Sequence, residues 1–153
     1  MKKIGLFPGS FDPFTKGHEI VVRKSLPVFD EVVIGVGVNS QKNYMFSLES
    51  RISHIQALFA DSPKVRVEQF QKLTVDFCKD IDASYIIRGL RDSKDFQYEK
   101  SIAHMNKSIS GIETIFFLTD QEYAAINASI IREIYKNGGP IEAFVTNPEM
   151  LVS

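Results

Sequence analysis

Apolar residues fall along the chain in two alternating patterns. Short runs rich in β-branched and aromatic side chains occupy residues 4–7, 32–38, 65–70, 85–87 and 114–118, each long enough for a strand. Between them apolar positions recur at spacings of three and four. Leu48, Ile52, Ile55 and Phe59 follow Ser47, whose hydroxyl is placed to cap a helix. The segment DFQYEKSIAHMNK at 95–107, with Phe96, Ile102, Ala103 and Met105, predicts another helix. The alternation of β and α segments predicts one domain over residues 1–153, with five parallel strands doubly wound by helices on both faces. VVIGVGV at 32–38 is apolar without a break, as burial from both sides requires. Near the end, KNGGPIEAF at 136–144 reads as a helix stop at the glycines and a short helix begun by Pro140.

Composition narrows the partners. Eighteen basic residues face 19 acidic ones, so no global field draws in nucleic acid or an anionic membrane, and any anion site must be local. The single cysteine, Cys78, follows Leu73, Val75 and Phe77 and is expected to pack as a small hydrophobe. With no partner for a disulfide, a reducing cytoplasmic location is expected. The first apolar stretch stops at Pro8, short of a signal-peptide core, and no run approaches membrane-spanning length.

In an open Rossmann-like sheet of this kind, ligands bind beyond the carboxyl ends of the strands, where strand order reverses. The segments that follow the five strands are PGSFDPFTKGH, NSQKNYMF, QKLT, RGLRDSKDFQYE and TDQEYAAINAS. Glycines, hydroxyls, lysines and arginines thus collect on one rim, a composition that suits phosphate. Neither GxxxxGK[ST] nor a complete GxGxxG after the first strand is present, which argues against a P-loop hydrolase and a dinucleotide-dependent dehydrogenase.

GSFDPFTKGH resembles the GxFDPxxxGH signature of the HxGH nucleotidylyltransferases, with Thr15 where many members have the first histidine. NSQKNYMFSLESR, IIRGLRDSKDFQYEKSIAHMN and INASIIREI add a resemblance, in order and spacing, to the phosphopantetheine adenylyltransferase family from about residue 4 to residue 134. Mononucleotide adenylyltransferases and small cytidylyltransferases share the first motif but lack the RGLR, DFxYE and AHMN set. The resemblance implies transfer of an adenylyl group from ATP to 4′-phosphopantetheine, giving dephospho-CoA and pyrophosphate, with Mg2+. It also implies a homohexamer and feedback by CoA.

Such a transfer asks a protein to align two anions and neutralise charge rather than to form a covalent bond. The resemblance assigns His18 to the α-phosphate, Ser10 to the attacking phosphate and Lys42 to both phosphates being joined. It places the Phe11 backbone, Gly17, Gly89, Leu90, Arg91 and Glu99 at ATP, Arg91 towards the leaving pyrophosphate. Arg88 grips the pantetheine phosphate, and Leu73, Thr74, Met105 and Asn106 line the arm. The segment Tyr123, Ala124, Ala125, Ile126, Asn127, Ala128 and Ser129 holds nucleotide at a helix start. Outside the motif, His18 reads as a helix cap, Lys42 as a solvated charge, Met105 as core, and Arg88 and Arg91 as ion-pair partners of Asp92, Asp95 or Glu99. Asp12 and Pro13 read as turn formers. The family pattern ISS[ST] is broken by Ala128, which offers no hydroxyl to the triphosphate. A sensor that binds adenine nucleotide or CoA without turnover is the alternative from another class, opposed by the cations kept at every phosphate.

Overall fold

A computed structural model describes residues 1–153. Five strands, β1 (Ile4–Gly9), β2 (Glu31–Gly37), β3 (Val65–Phe70), β4 (Tyr85–Leu90) and β5 (Glu113–Leu118), form one parallel sheet in the order β3-β2-β1-β4-β5. The helices are α1 (Lys16–Ser25), α2 (Leu48–Leu58), α3 (Thr74–Asp80), α4 (Ser93–Ser110) and α5 (Ala128–Lys136). The first three strands step one way across the sheet, then the chain returns to the middle and steps the other way. The switch point therefore lies between β1 and β4.

Side chains alternate across the sheet. Phe7, Ile34 and Ile87 pack under Val21 and Val22 of α1 and Ile55 of α2. Leu6, Val33 and Ile86 pack against Val75, Phe77 and Cys78 of α3 on the other face. Helices thus cover both faces, as the sequence predicts. Cys78 is fully buried, and burial pushes its thiol up to about 11, so it is inert at neutral pH.

Two strands run further than their apolar patterns. β1 continues through Pro8 and Gly9, and β4 through Arg88, Gly89 and Leu90, because ladder hydrogen bonds belong to the backbone, whatever the side chain. β1 pairs with β2 along its whole length but with β4 only at Gly5 and Leu6. Pro8 has no N–H to offer, and beyond it the two central strands part. The cleft begins in that gap.

The end of the chain departs from expectation. α5 stops at Lys136, with Gly138 at φ 78°, but Pro140 starts no helix. A single turn carries Ile141 and Val145 inward, a 3-10 turn follows at Pro148–Met150, and Leu151 joins them against Phe46 and Ile131. These apolar residues are more useful covering the Phe46 side of α5 than spaced along a helix.

Candidate active site

The turn after β1 begins with Gly9, where an added Cβ would lie 2.8 Å from the Phe11 ring. Phe11 has φ 49° and buries its ring beside Phe7 and Phe14. Asp12 is buried, and its two carboxylate oxygens accept the N–H groups of Met45 and Phe46 at 2.8 and 2.9 Å. This residue is thus more than a turn former: it fastens the segment after β2 to the segment after β1. Its partners lie 33 and 34 residues away, so local sequence gives no sign of them.

Thr15 caps α1, its hydroxyl accepting the His18 N–H at 3.2 Å. In return the Thr15 N–H donates to His18 Nδ1 at 3.0 Å. A backbone N–H can only donate, so Nδ1 is unprotonated and the ring proton sits on Nε2. The ring lies among Phe7, Phe11 and Phe14, with centroids 6.2, 5.0 and 5.4 Å away. Burial, aided by the charges of Arg88 and Arg91, pushes His18 down to about 3. The sequence offered a cap or a catalytic group; the residue caps with one nitrogen and keeps the other free.

His18 lines a cleft of about 440 Å³ at the switch point, together with Ser10, Arg88 and Arg91. Phe11, Gly17, Gly89 and Glu99 also reach it, as do Ile126, Asn127, Ala128 and Ser129 at the start of α5. Arg88 donates to Pro8 O at 2.7 Å, filling the gap between β1 and β4, and grips both oxygens of Glu99 at 2.6 and 2.9 Å. Arg91 pairs with Asp95 and donates to Ile126 O at 2.7 Å. The ion pairs that the sequence offered as the plain alternative therefore form, and they hold both guanidinium groups at the cleft wall.

A second cavity of about 280 Å³ opens beside the first and shares Pro8, Gly9, Arg88 and Glu99 with it. Thr74 and Asn106 line it along with Phe70, Ile86 and Ile102. Leu73 and Met105 are exposed and lie outside both cavities, so Met105 is not core. Leu90, Tyr123, Ala124 and Ala125 also lie outside, although the Tyr123 carbonyl sits 3.9 Å from the position of a Gly17 Cβ. Lys42 is exposed on its loop, its Nζ 3.5 Å from Ser10 Oγ.

Asn127 caps α5 through its side chain, leaving Ala128 at the first helical position. Arg132, one turn further on, also lines the cleft, donating to Asp12 O at 2.9 Å and to Ser129 Oγ at 3.0 Å. Sequence reasoning gave it no role, since its target belongs to a turn 120 residues earlier. The only available signal was a basic residue one helical turn after Ser129.

Parallel strands, a glycine-rich first turn and cations gathered at the switch point describe a nucleotidyl-transferring α/β fold, and a cytidylyltransferase-like family model matches residues 6–134. Phosphopantetheine adenylyltransferases from Flavobacterium psychrophilum and Bacteroides fragilis are 49% and 44% identical to it, each over 140 residues, 92% of this chain and 93% of theirs. One from Lachnoclostridium phytofermentans is 47% identical over 146 residues, 95% of this chain and 90% of its own. The chain belongs to the phosphopantetheine adenylyltransferase family. A bifunctional NMN adenylyltransferase/ADP ribose pyrophosphatase from Francisella tularensis superposes with a TM-score of 0.72 at 22% identity, over 99% of this chain. The chain spans about half (47%) of that protein's length, and the likeness is one of fold.

Proposed function

We propose that the chain joins ATP and 4′-phosphopantetheine by direct adenylyl transfer, releasing pyrophosphate and dephospho-CoA. The carrying observation is a pair of cavities, about 440 and 280 Å³, that meet at Arg88. The larger, polar one takes the nucleotide, with its triphosphate along His18, Arg91 and the start of α5. The smaller one takes the pantetheine arm past Thr74 and Asn106, so that its phosphate meets Arg88, Ser10 and Lys42.

The phosphate of the arm attacks the α-phosphorus as pyrophosphate leaves on the opposite side. Charge builds on the α-phosphate oxygens, and the Nε2–H of His18 donates to them there. Because His18 is neutral with its proton on Nε2, it cannot also take a proton from Ser10, so a seryl intermediate has no base. None is needed, since a phosphate monoester is already largely ionised at neutral pH. Glu99, occupied by Arg88 through both oxygens, orients that arginine and is not a base. Arg91 and Lys42 balance the charge of the leaving and joined phosphates.

Mg2+ enters with the triphosphate as part of the substrate. Asp12, Asp95 and Glu99, the carboxylates lining the cleft, are engaged by backbone N–H groups or arginines, which suits an ion held by phosphates and water. Hexameric assembly and CoA feedback rest on the family resemblance, and a cytoplasmic location on the lone cysteine with no disulfide partner.

The test is incubation with ATP, magnesium and 4′-phosphopantetheine. Pyrophosphate and dephospho-CoA in equal amounts are expected. Tight binding of both substrates without pyrophosphate would favour the sensor reading.

A further inference from the structure

Behind the phosphate turn lies a buried cation that the reaction above does not use. Arg51 of α2 is 2% exposed and forms no ion pair. A buried charge is costly unless its hydrogen bonds are made, and hydrocarbon of similar volume often serves stability as well. Here Nη1 donates to Ser10 O at 2.7 Å, Nε donates to Phe46 O at 3.0 Å, and the guanidinium lies 4.1 Å from the Tyr44 ring centroid. What this group achieves, and hydrocarbon cannot, is to fix the direction of the Ser10 carbonyl.

That direction matters one atom further on. In a trans peptide the C=O and N–H point opposite ways, so a Ser10 carbonyl turned into Arg51 turns the Phe11 N–H away from it. The Phe11 N–H has no acceptor within the protein, and both Ser10 and Phe11 line the cleft. With φ at 49°, in a region that L-residues with bulky side chains avoid, Phe11 does not hold this shape unaided. Tyr44 extends the clasp: its hydroxyl accepts Asn39 N–H at 3.0 Å and donates to Gly37 O at 3.4 Å. Its ring centroid is 5.5 Å from Lys42 Nζ.

We propose that Arg51 is a positioning residue for the transfer: through the Ser10 carbonyl it aims the Phe11 amide and the Ser10 hydroxyl at the phosphates being joined. Through Tyr44 it keeps the Lys42 loop in register with them. The inference rests on the adenylyl-transfer reading, but the Phe11 amide can be followed by NMR with ATP alone, independently of turnover.

Arg51→Lys keeps the charge but cannot bond both carbonyls and stack at once. In folded enzyme its kcat is expected to fall about 10- to 100-fold while KM for ATP moves less than about threefold. Combined with Ser10→Ala, the two losses should fall well short of multiplying, because both act through one turn. ATP should shift the Phe11 amide resonance in the native protein, and Arg51→Lys should abolish most of that shift. Undiminished kcat in Arg51→Lys, losses that multiply, or a Phe11 amide indifferent to ATP in the native protein would each overturn the proposal. If Arg51→Lys fails to fold, Tyr44→Leu removes the ring against the guanidinium. Its kcat should drop about 3- to 10-fold, and an unchanged kcat would be equally contrary.

Discussion

In the proposed transfer, His18 serves both fold and chemistry. Its backbone N–H and Nδ1 complete the reciprocal cap with Thr15, and that cap sets the tautomer that leaves Nε2–H unpaired, the group that the proposed transfer uses. Replacing His18 by alanine should lower kcat by about two to four orders of magnitude, with substrate dissociation constants within a few-fold of the native values. Single-turnover kinetics beside equilibrium binding makes that comparison, and native turnover would remove His18 from the reaction. The identity of the residue was legible in GSFDPFTKGH, but its protonation was not. That depends on three phenylalanine rings and two arginines brought together by the fold. Arg88 and Arg91 show the same division: their residue types marked a phosphate rim, while their carboxylate partners became definite only in three dimensions.

At the scale of elements, the position of α1 decides where His18 points, and Gly89 sets that position. A Cβ on Gly89 would come within 2.6 Å of Val21 Cγ2. Gly89→Ala should therefore push α1 off β4, lowering both Tm and kcat, whereas adding Val21→Ala should restore much of each by opening space. Thermal melts and turnover of the single and double variants test this, and a fully active, undisturbed Gly89→Ala protein would contradict it. Sequence periodicity located the strands and α2 with its Ser47 cap, because apolar spacing is a local property. It stopped short at Pro8 and Arg88, since proline, glycine and arginine resemble turn signals even where the ladder continues. The glycine stop and Pro140 predict a short helix that does not form, because the contacts of Ile141, Val145 and Leu151 with Phe46 and Ile131 are long-range. No local pattern marks Arg51 or Arg132, for a related reason: each bonds a carbonyl of the first turn from a distant helix.

For the whole molecule, the site adds a dependence of stability on pH. His18 is held near 3 in the folded chain but titrates at about 6.5 when unfolded. Between those values the unfolded chain binds the extra proton, so the contribution is complete above about pH 6.5 and is lost as pH falls towards 3. Burial also lowers His54, and Asp95, lowered by its bonds to Arg91, adds loss at still lower pH. The difference between native protein and His18→Gln isolates the first effect: Tm of the native protein should fall more steeply from pH 6.5 to 4.5. Parallel curves would contradict the half-buried, neutral imidazole. On the proposed reading, the parting of strands at Pro8 lets two anionic substrates meet end to end among fixed donors, and direct transfer needs no residue to hold the adenylyl group in between. The stereochemical course at the α-phosphorus tests this most directly, with ATP bearing sulfur at one α-phosphate oxygen as donor and 4′-phosphopantetheine as acceptor. Direct transfer predicts inversion of configuration in the thiophosphate product; retention would require a second displacement through a covalent enzyme intermediate and would contradict the account.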